Sequence, residues 1–284
     1  MINTPTPRRN KIRLATLSFS ILGYLMGMNV SAQSLNGTIG EVVIVPVQQS
    51  VKQVSFNQKP QLIVAEHAII GIPLDIDIGS YVVVMTHEDN STTEWSLEVG
   101  TKQYPEERIT IEDTTQVTPP EETLERIRRE SAAMRQVYGL FSNQPDMNSK
   151  IILPVEGRIS GVFGSRRFFN DQPRNPHSGL DVAVPTGTPI HAPADAEVAL
   201  TGDFYFNGNT VMLDHGGGFV SMMCHLDRID VSQGDKVMLG DPIGTVGTTG
   251  RSTGPHLHWS VSLSADRVDP QVFMDQVNAL FGGE

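Results

Sequence analysis

Cysteine is nearly absent: Cys224 is alone among 284 residues, so no disulfide can form within the chain, and an apolar core or a metal must hold the fold. It sits in the apolar run from Val220 to Leu226, where a lone cysteine reads as a small buried hydrophobe rather than a nucleophile. Positive charge is also short. Lysine and arginine number 21 against 32 acidic residues, a formal net charge of −11, which argues against nucleic acid or another polyanion as partner. No apolar run reaches the roughly 20 residues needed to cross a bilayer. The longest, Leu14 to Met28, follows Arg8, Arg9, Lys11 and Arg13 and precedes Val30-Ser31-Ala32, the pattern of a cleavable secretory signal. Cleavage after Ala32 takes away four positive charges and no negative ones, so −11 becomes −15. The expectation is an exported chain with no transmembrane segment after cleavage. With no lipid-attachment cysteine near that site, the periplasm is the expected compartment and secretion the alternative.

Beyond residues 1–32 the chain divides by pattern. Residues 33–112 carry short alternating apolar runs (Val42 to Val47, Val51 to Phe56, Gln61 to Val64, Tyr81 to Met85, Thr93 to Val99) separated by turn formers, which predicts a small β-sandwich. Residues 113–149 form a linker. Within it Thr118 and Glu121 fit a capping box, and Leu124, Ile127, Met134, Val137 and Phe141 recur at helical spacing, predicting a helix over about 120–140. Residues 150–275 return to short β runs divided by glycines, which predicts an antiparallel sheet or barrel-like sandwich; residues 276–284 are left as a tail. The fold class is thus mainly β with one connecting helix.

Six of the eight histidines lie in that second β region, and three belong to two tight motifs. The first is His177-Ser-Gly-Leu-Asp181; the second is His256-Leu-His258. Two residues apart on a strand, His256 and His258 face the same side, with α-carbons about 6.5–7 Å apart. Zinc hydrolysis needs three nitrogen or carboxylate ligands and an open position for water. Two neutral imidazoles and one carboxylate leave a site of about +1 charge, which keeps the metal Lewis-acidic. Spacing alone leaves open whether one or both histidines of the second motif bind metal. His215 and His191, at strand-to-turn junctions, read as structural, and Arg166 and Arg167 are candidates for meeting substrate carboxylates.

The strings NPHSGLDVAVPTGTPIHAPADAEV, MMCHLDRIDVSQGDKVMLGDPIGTVGTTG and GRSTGPHLHWSV, in this order, resemble the lysostaphin-type or LytM-like zinc peptidases, family M23, over residues 150–270. The resemblance implies a LytM-like peptidase fold and one zinc ion per chain, held by His177, Asp181 and His258. It also implies acid–base work by His225 and His256, with the division between them open. Met223-Cys224-His225 departs from the aromatic that the family usually places before that histidine. The expected function is hydrolysis of peptide cross-links in bacterial peptidoglycan, at the D-alanyl to meso-diaminopimelyl bond. The alternative is a non-catalytic regulator of other cell-wall hydrolases, although relatives of that kind lack the zinc ligands. The extra upstream residues, 33–145, prompt the expectation of an intramolecular cover over the metal.

Overall fold

Val51–Phe56 forms a strand with the expected bounds, while the runs around Tyr81 and Thr93 lengthen into a hairpin, Gly79–His87 against Thr92–Gly100. The extra length comes from polar residues whose backbone groups continue the ladder although their side chains carry no apolar signal. The computed structural model describes residues 34–143, 145, 147 and 149–282; the expected leader, residues 1–32, lies outside the described residues.

Two sheets build the upstream region. One runs in the order Ser34–Thr38, Thr92–Gly100, Gly79–His87, Val51–Phe56 and Lys59–Pro60; the other in the order Val42–Pro46, His67–Gly71 and Leu62–Val64. Val43, Val45, Phe56, Ile70, Val83 and Leu97 fill the space between them, as in a sandwich. The three-stranded sheet is apolar on its other face as well. Val42, Leu62, Val64 and Ile69 from that face join the core that holds Phe219, Leu263, Val268 and Phe273. A sheet buried on both faces explains why Val42 to Val45 and Ala68 to Ile72 read as continuous apolar runs rather than alternating ones.

The main sheet follows the order Arg158–Gly161, Leu180–Ala183, Leu257–Leu263, Phe219–Ile229, Gly208–Gly216, Ala196–Phe204 and Lys236–Val237, with neighbours antiparallel. A smaller sheet ties the regions together. Glu106–Ile109 pairs in parallel with Arg166–Phe169, which turns back onto Gln172–Pro173.

The helix expected at 120–140 spans Glu121–Tyr138, here α1. Its capping box does not form: Pro120 is the N-cap, without a side-chain cap bond, because Thr118 is still held in the preceding turn by its N–H bond to Thr114. A second helix, α2, spans Pro270–Ala279, where the sequence reading placed the end of the peptidase region and a tail. Asp269 caps it through the Gln271 and Val272 N–H groups, Pro270 begins it, and Phe273 and Val277 are fully buried one turn apart. Ten residues with two buried anchors give too little periodic pattern for the sequence to declare a helix. Among the described residues no helix is long and apolar enough to cross a membrane.

Candidate metal centre

Strand register assembles the centre. Asp181 stands opposite His258 on the neighbouring strand, and His258 opposite Cys224 on the next. Facing residues of paired strands share a face, so Asp181 and His258 project together. His177 precedes the Asp181 strand on a loop, held by its N–H bond to Ser165 O. Gly179 between them is required sterically: a Cβ there would lie 2.4 Å from Trp259 O and 2.7 Å from the His258 ring.

The hydrogen-bond network settles which nitrogens face inward. His177 Nδ1 is 2.9 Å from Val162 O. A carbonyl can only accept, so the neutral ring carries its hydrogen there and leaves a lone pair on Nε2. Ser260 Oγ donates to Ser178 O (2.8 Å) and so accepts from His258 Nε2 (2.9 Å), leaving the lone pair on His258 Nδ1. Those inward atoms converge with Asp181 Oδ1: His177 Nε2 to Oδ1 is 3.0 Å, His258 Nδ1 to Oδ1 is 2.8 Å, and the two nitrogens are 3.0 Å apart. Burial brings His258 down to about 4, against the pull of Asp181, so the ring is neutral near pH 7. One carboxylate oxygen and two imidazole nitrogens turned to a common point form a group that could hold a metal ion, with donors of the kind zinc takes.

Outer contacts fix these ligands. Arg167 donates from Nη2 to Asp181 Oδ2 (2.6 Å) and from Nε to Glu107 Oε2 (2.9 Å). Arg167, a candidate for meeting substrate carboxylates, thus bridges Glu107 and Asp181 at the cavity wall, and Arg166, the other candidate, pairs at the surface with Glu106. Neither the Arg167–Asp181 bond nor the Ser260 support of His258 was readable from spacing, because each depends on register between distant segments.

His225 and His256 stand beside the centre with ring centroids 4.8 Å apart. His225 Nδ1 meets Thr249 O at 2.8 Å and His256 Nδ1 meets Gly254 O at 2.9 Å, so both rings are Nδ1–H and present Nε2. His256 Nε2 lies 3.8 Å from Asp181 Oδ1. His225 has a left-handed φ of 66° at a register shift of its strand, which breaks the alternation and allows adjacent Cys224 and His225 to line one cavity. Burial first, then the neighbouring His256 and His258, bring His225 down to about 3 and keep it neutral.

The cavity has a volume of about 710 Å³ and is bordered by His177, His225 and His258. Of the upstream residues described, none from 34–112 lines it; the connector contributes Val117, Met134 and Tyr138. His215 and His191 lie elsewhere. His215 bonds Asp195 O and Ser221 Oγ and stacks on Phe219, and His191 bonds Gly240 O.

The sequence profile of Peptidase family M23 matches residues 175–270. A Pseudomonas aeruginosa protein solved as a candidate M23 peptidase is similar in fold and sequence, with a TM-score of 0.69 and 39% identity over 84% of this chain and 94% of that one. Peptidoglycan DD-endopeptidase ShyA of Vibrio cholerae is 42% identical over 111 residues, 38% of this chain and 26% of ShyA. DD-carboxypeptidase/endopeptidase Mpg of Neisseria meningitidis is 35% identical over 141 residues, 50% of this chain and 31% of Mpg. The matches thus span roughly a quarter to a third of these curated relatives.

Proposed function

The chain belongs to peptidase family M23, and from that premise we propose that it is a zinc-dependent endopeptidase that hydrolyses peptide cross-links of bacterial peptidoglycan, at the bond between D-alanine and meso-diaminopimelate. The observation that carries this reading is the convergence of His177 Nε2, Asp181 Oδ1 and His258 Nδ1 at a cavity that His225 also lines. The names of ShyA and Mpg support the substrate class.

A zinc ion held by those three atoms would supply Lewis acidity, lowering the pKa of water and polarising a carbonyl. The remaining work falls to the chain. Val162 O and Ser260 Oγ hold the His177 and His258 rings in the required tautomers, and Arg167 holds Asp181. His225 and His256 have their Nδ1–H groups committed to carbonyls, so Nε2 is the position that exchanges protons. As water adds to the amide carbon and the C–N bond breaks, these two rings take the proton from the water and deliver it to the leaving nitrogen. A neutral Nε2 at pH 7 suits the acceptor.

Digestion of diaminopimelate-type peptidoglycan, followed by mass analysis of the fragments, tests the reading. Zinc-loaded wild type should convert cross-linked dimers to monomers, and His258→Ala should retain neither zinc nor activity. His256→Ala should keep its zinc and lose about 10²–10⁴ in kcat. Intact dimers after treatment with zinc-loaded wild type, or equal cleavage by His258→Ala, would refute the proposal.

A further inference from the structure

The chain is strongly acidic, yet apart from Asp181 of the metal centre itself no aspartate or glutamate is among the described residues that border the cavity. Four arginines are: Arg167, Arg174, Arg251 and Arg267. Arg167 is paired with Glu107 and Asp181. The other three form no ion pair among the described residues.

Two of these three are held in place without being neutralised. The Arg251 guanidinium lies between two rings, 4.6 Å from the Phe169 centroid and 4.4 Å from that of Phe206, and its Nη1 donates to Gln116 O at 3.2 Å. Arg174 Nη2 donates to Val117 O at 2.7 Å and to Gln172 Oε1 at 2.9 Å. Aromatic faces and carbonyls orient a guanidinium and leave its full charge in the groove. Burial, followed by the charges of Arg174 and Arg167, brings the Arg251 pKa down to about 10. Holding such charge in a partly buried site is unfavourable unless an anion arrives.

We propose that Arg174 and Arg251 form a carboxylate-binding subsite, which selects peptide substrates that carry a free carboxylate next to the bond to be cut. The proposal rests on the endopeptidase reading and narrows it. In a diaminopimelyl cross-link, the carbon that bears the scissile amide nitrogen also bears a free carboxylate. A planar guanidinium fork matches that group, and its carboxamide keeps the shape while losing the charge.

The experiment uses the full zinc-loaded chain and two purified peptide dimers, one with this carboxylate free and one with it amidated. Binding is followed by anisotropy of a dye on the dimer, and cleavage by chromatography. Wild type should favour the free acid by about tenfold or more in both readouts, the scale of a charge-assisted pair. Arg174→Gln and Arg251→Gln should each collapse that ratio toward one, and Arg251→Lys should restore part of the preference. Because the amidation comparison on wild type needs no variant, poor folding of a variant leaves the test intact. Cleavage of both dimers at equal rates would sink the subsite and leave the endopeptidase standing. Preferential binding of the free acid without cleavage would do the reverse, and binding of neither dimer would overturn the subsite.

Discussion

His225 and His215 show how differently buried histidines can be used. His225 accepts a left-handed backbone and loses its proton to burial, and in return its Nε2 faces a cavity. His215 is equally buried but spends both nitrogens on Asp195 O and Ser221 Oγ, and burial brings it down to about 4. An unfolded histidine titrates near 6.5, so below that pH the unfolded chain binds a proton that native His215 refuses until about pH 4. Stability should therefore fall as pH drops from about 6.5 to 4, by up to roughly 1.4 kcal/mol per pH unit and about 3 kcal/mol in total. Urea denaturation of wild type and His215→Gln at several pH values checks this. The variant should show a shallower slope in that window, and parallel slopes would contradict the assignment.

At the level of elements, the connector matters most. Helical spacing placed α1 correctly, and its last turn buries Val137 and Tyr138 against Met212, Val220 and Met222. Spacing could not say what this contact does. With Val117, Met134 and Tyr138 on the cavity wall, we propose that the connector, rather than the upstream sheets, restricts access to the metal centre. Trimming that wall with Val117→Ala and Met134→Ala should raise the rate at which intact peptidoglycan is solubilised, by about twofold or more, with little change on small peptide dimers. A rate that stays the same or falls on peptidoglycan would remove the gating role. The cover expected somewhere in residues 33–145 is in this proposal assigned to residues near 117–138. The physical reason is packing: the upstream sheets are occupied with each other and with the downstream core.

For the whole molecule, that shared core decides how the chain behaves. Composition and turn spacing divided it into 33–112 and 150–275, but the sheet Val42–Pro46, His67–Gly71, Leu62–Val64 contributes to two cores at once. The described residues form one compact unit by their contacts. Lys59 reaches Asp266 at 2.5 Å, and Ser264 Oγ donates to Pro60 O. Calorimetry of the chain should accordingly show a single transition with matching calorimetric and van't Hoff enthalpies. A fragment starting at residue 150 would expose apolar surface that Val42, Leu62, Val64 and Ile69 now cover, and should melt lower by several degrees. Two resolved transitions, or a fragment as stable as the whole, would show that the halves are independent.

The sequence alone determined what local chemistry can encode: alternation for the strands, a 3.6-residue period for α1, and the spacing that turns His256 and His258 to one side. The two motifs around His177 and His258, read with the family resemblance, named a ligand set that the fold then brought to one point. Tertiary structure decided the rest, because it depends on groups far apart in sequence. Register set Asp181 opposite His258, a strand irregularity turned His225 into the cavity, and Arg167 crossed to Asp181. Arg174 and Arg251 belong with these: folding sets Arg251 between two aromatic rings and Arg174 against the Val117 and Gln172 oxygens, and neither has an ion-pair partner among the described residues.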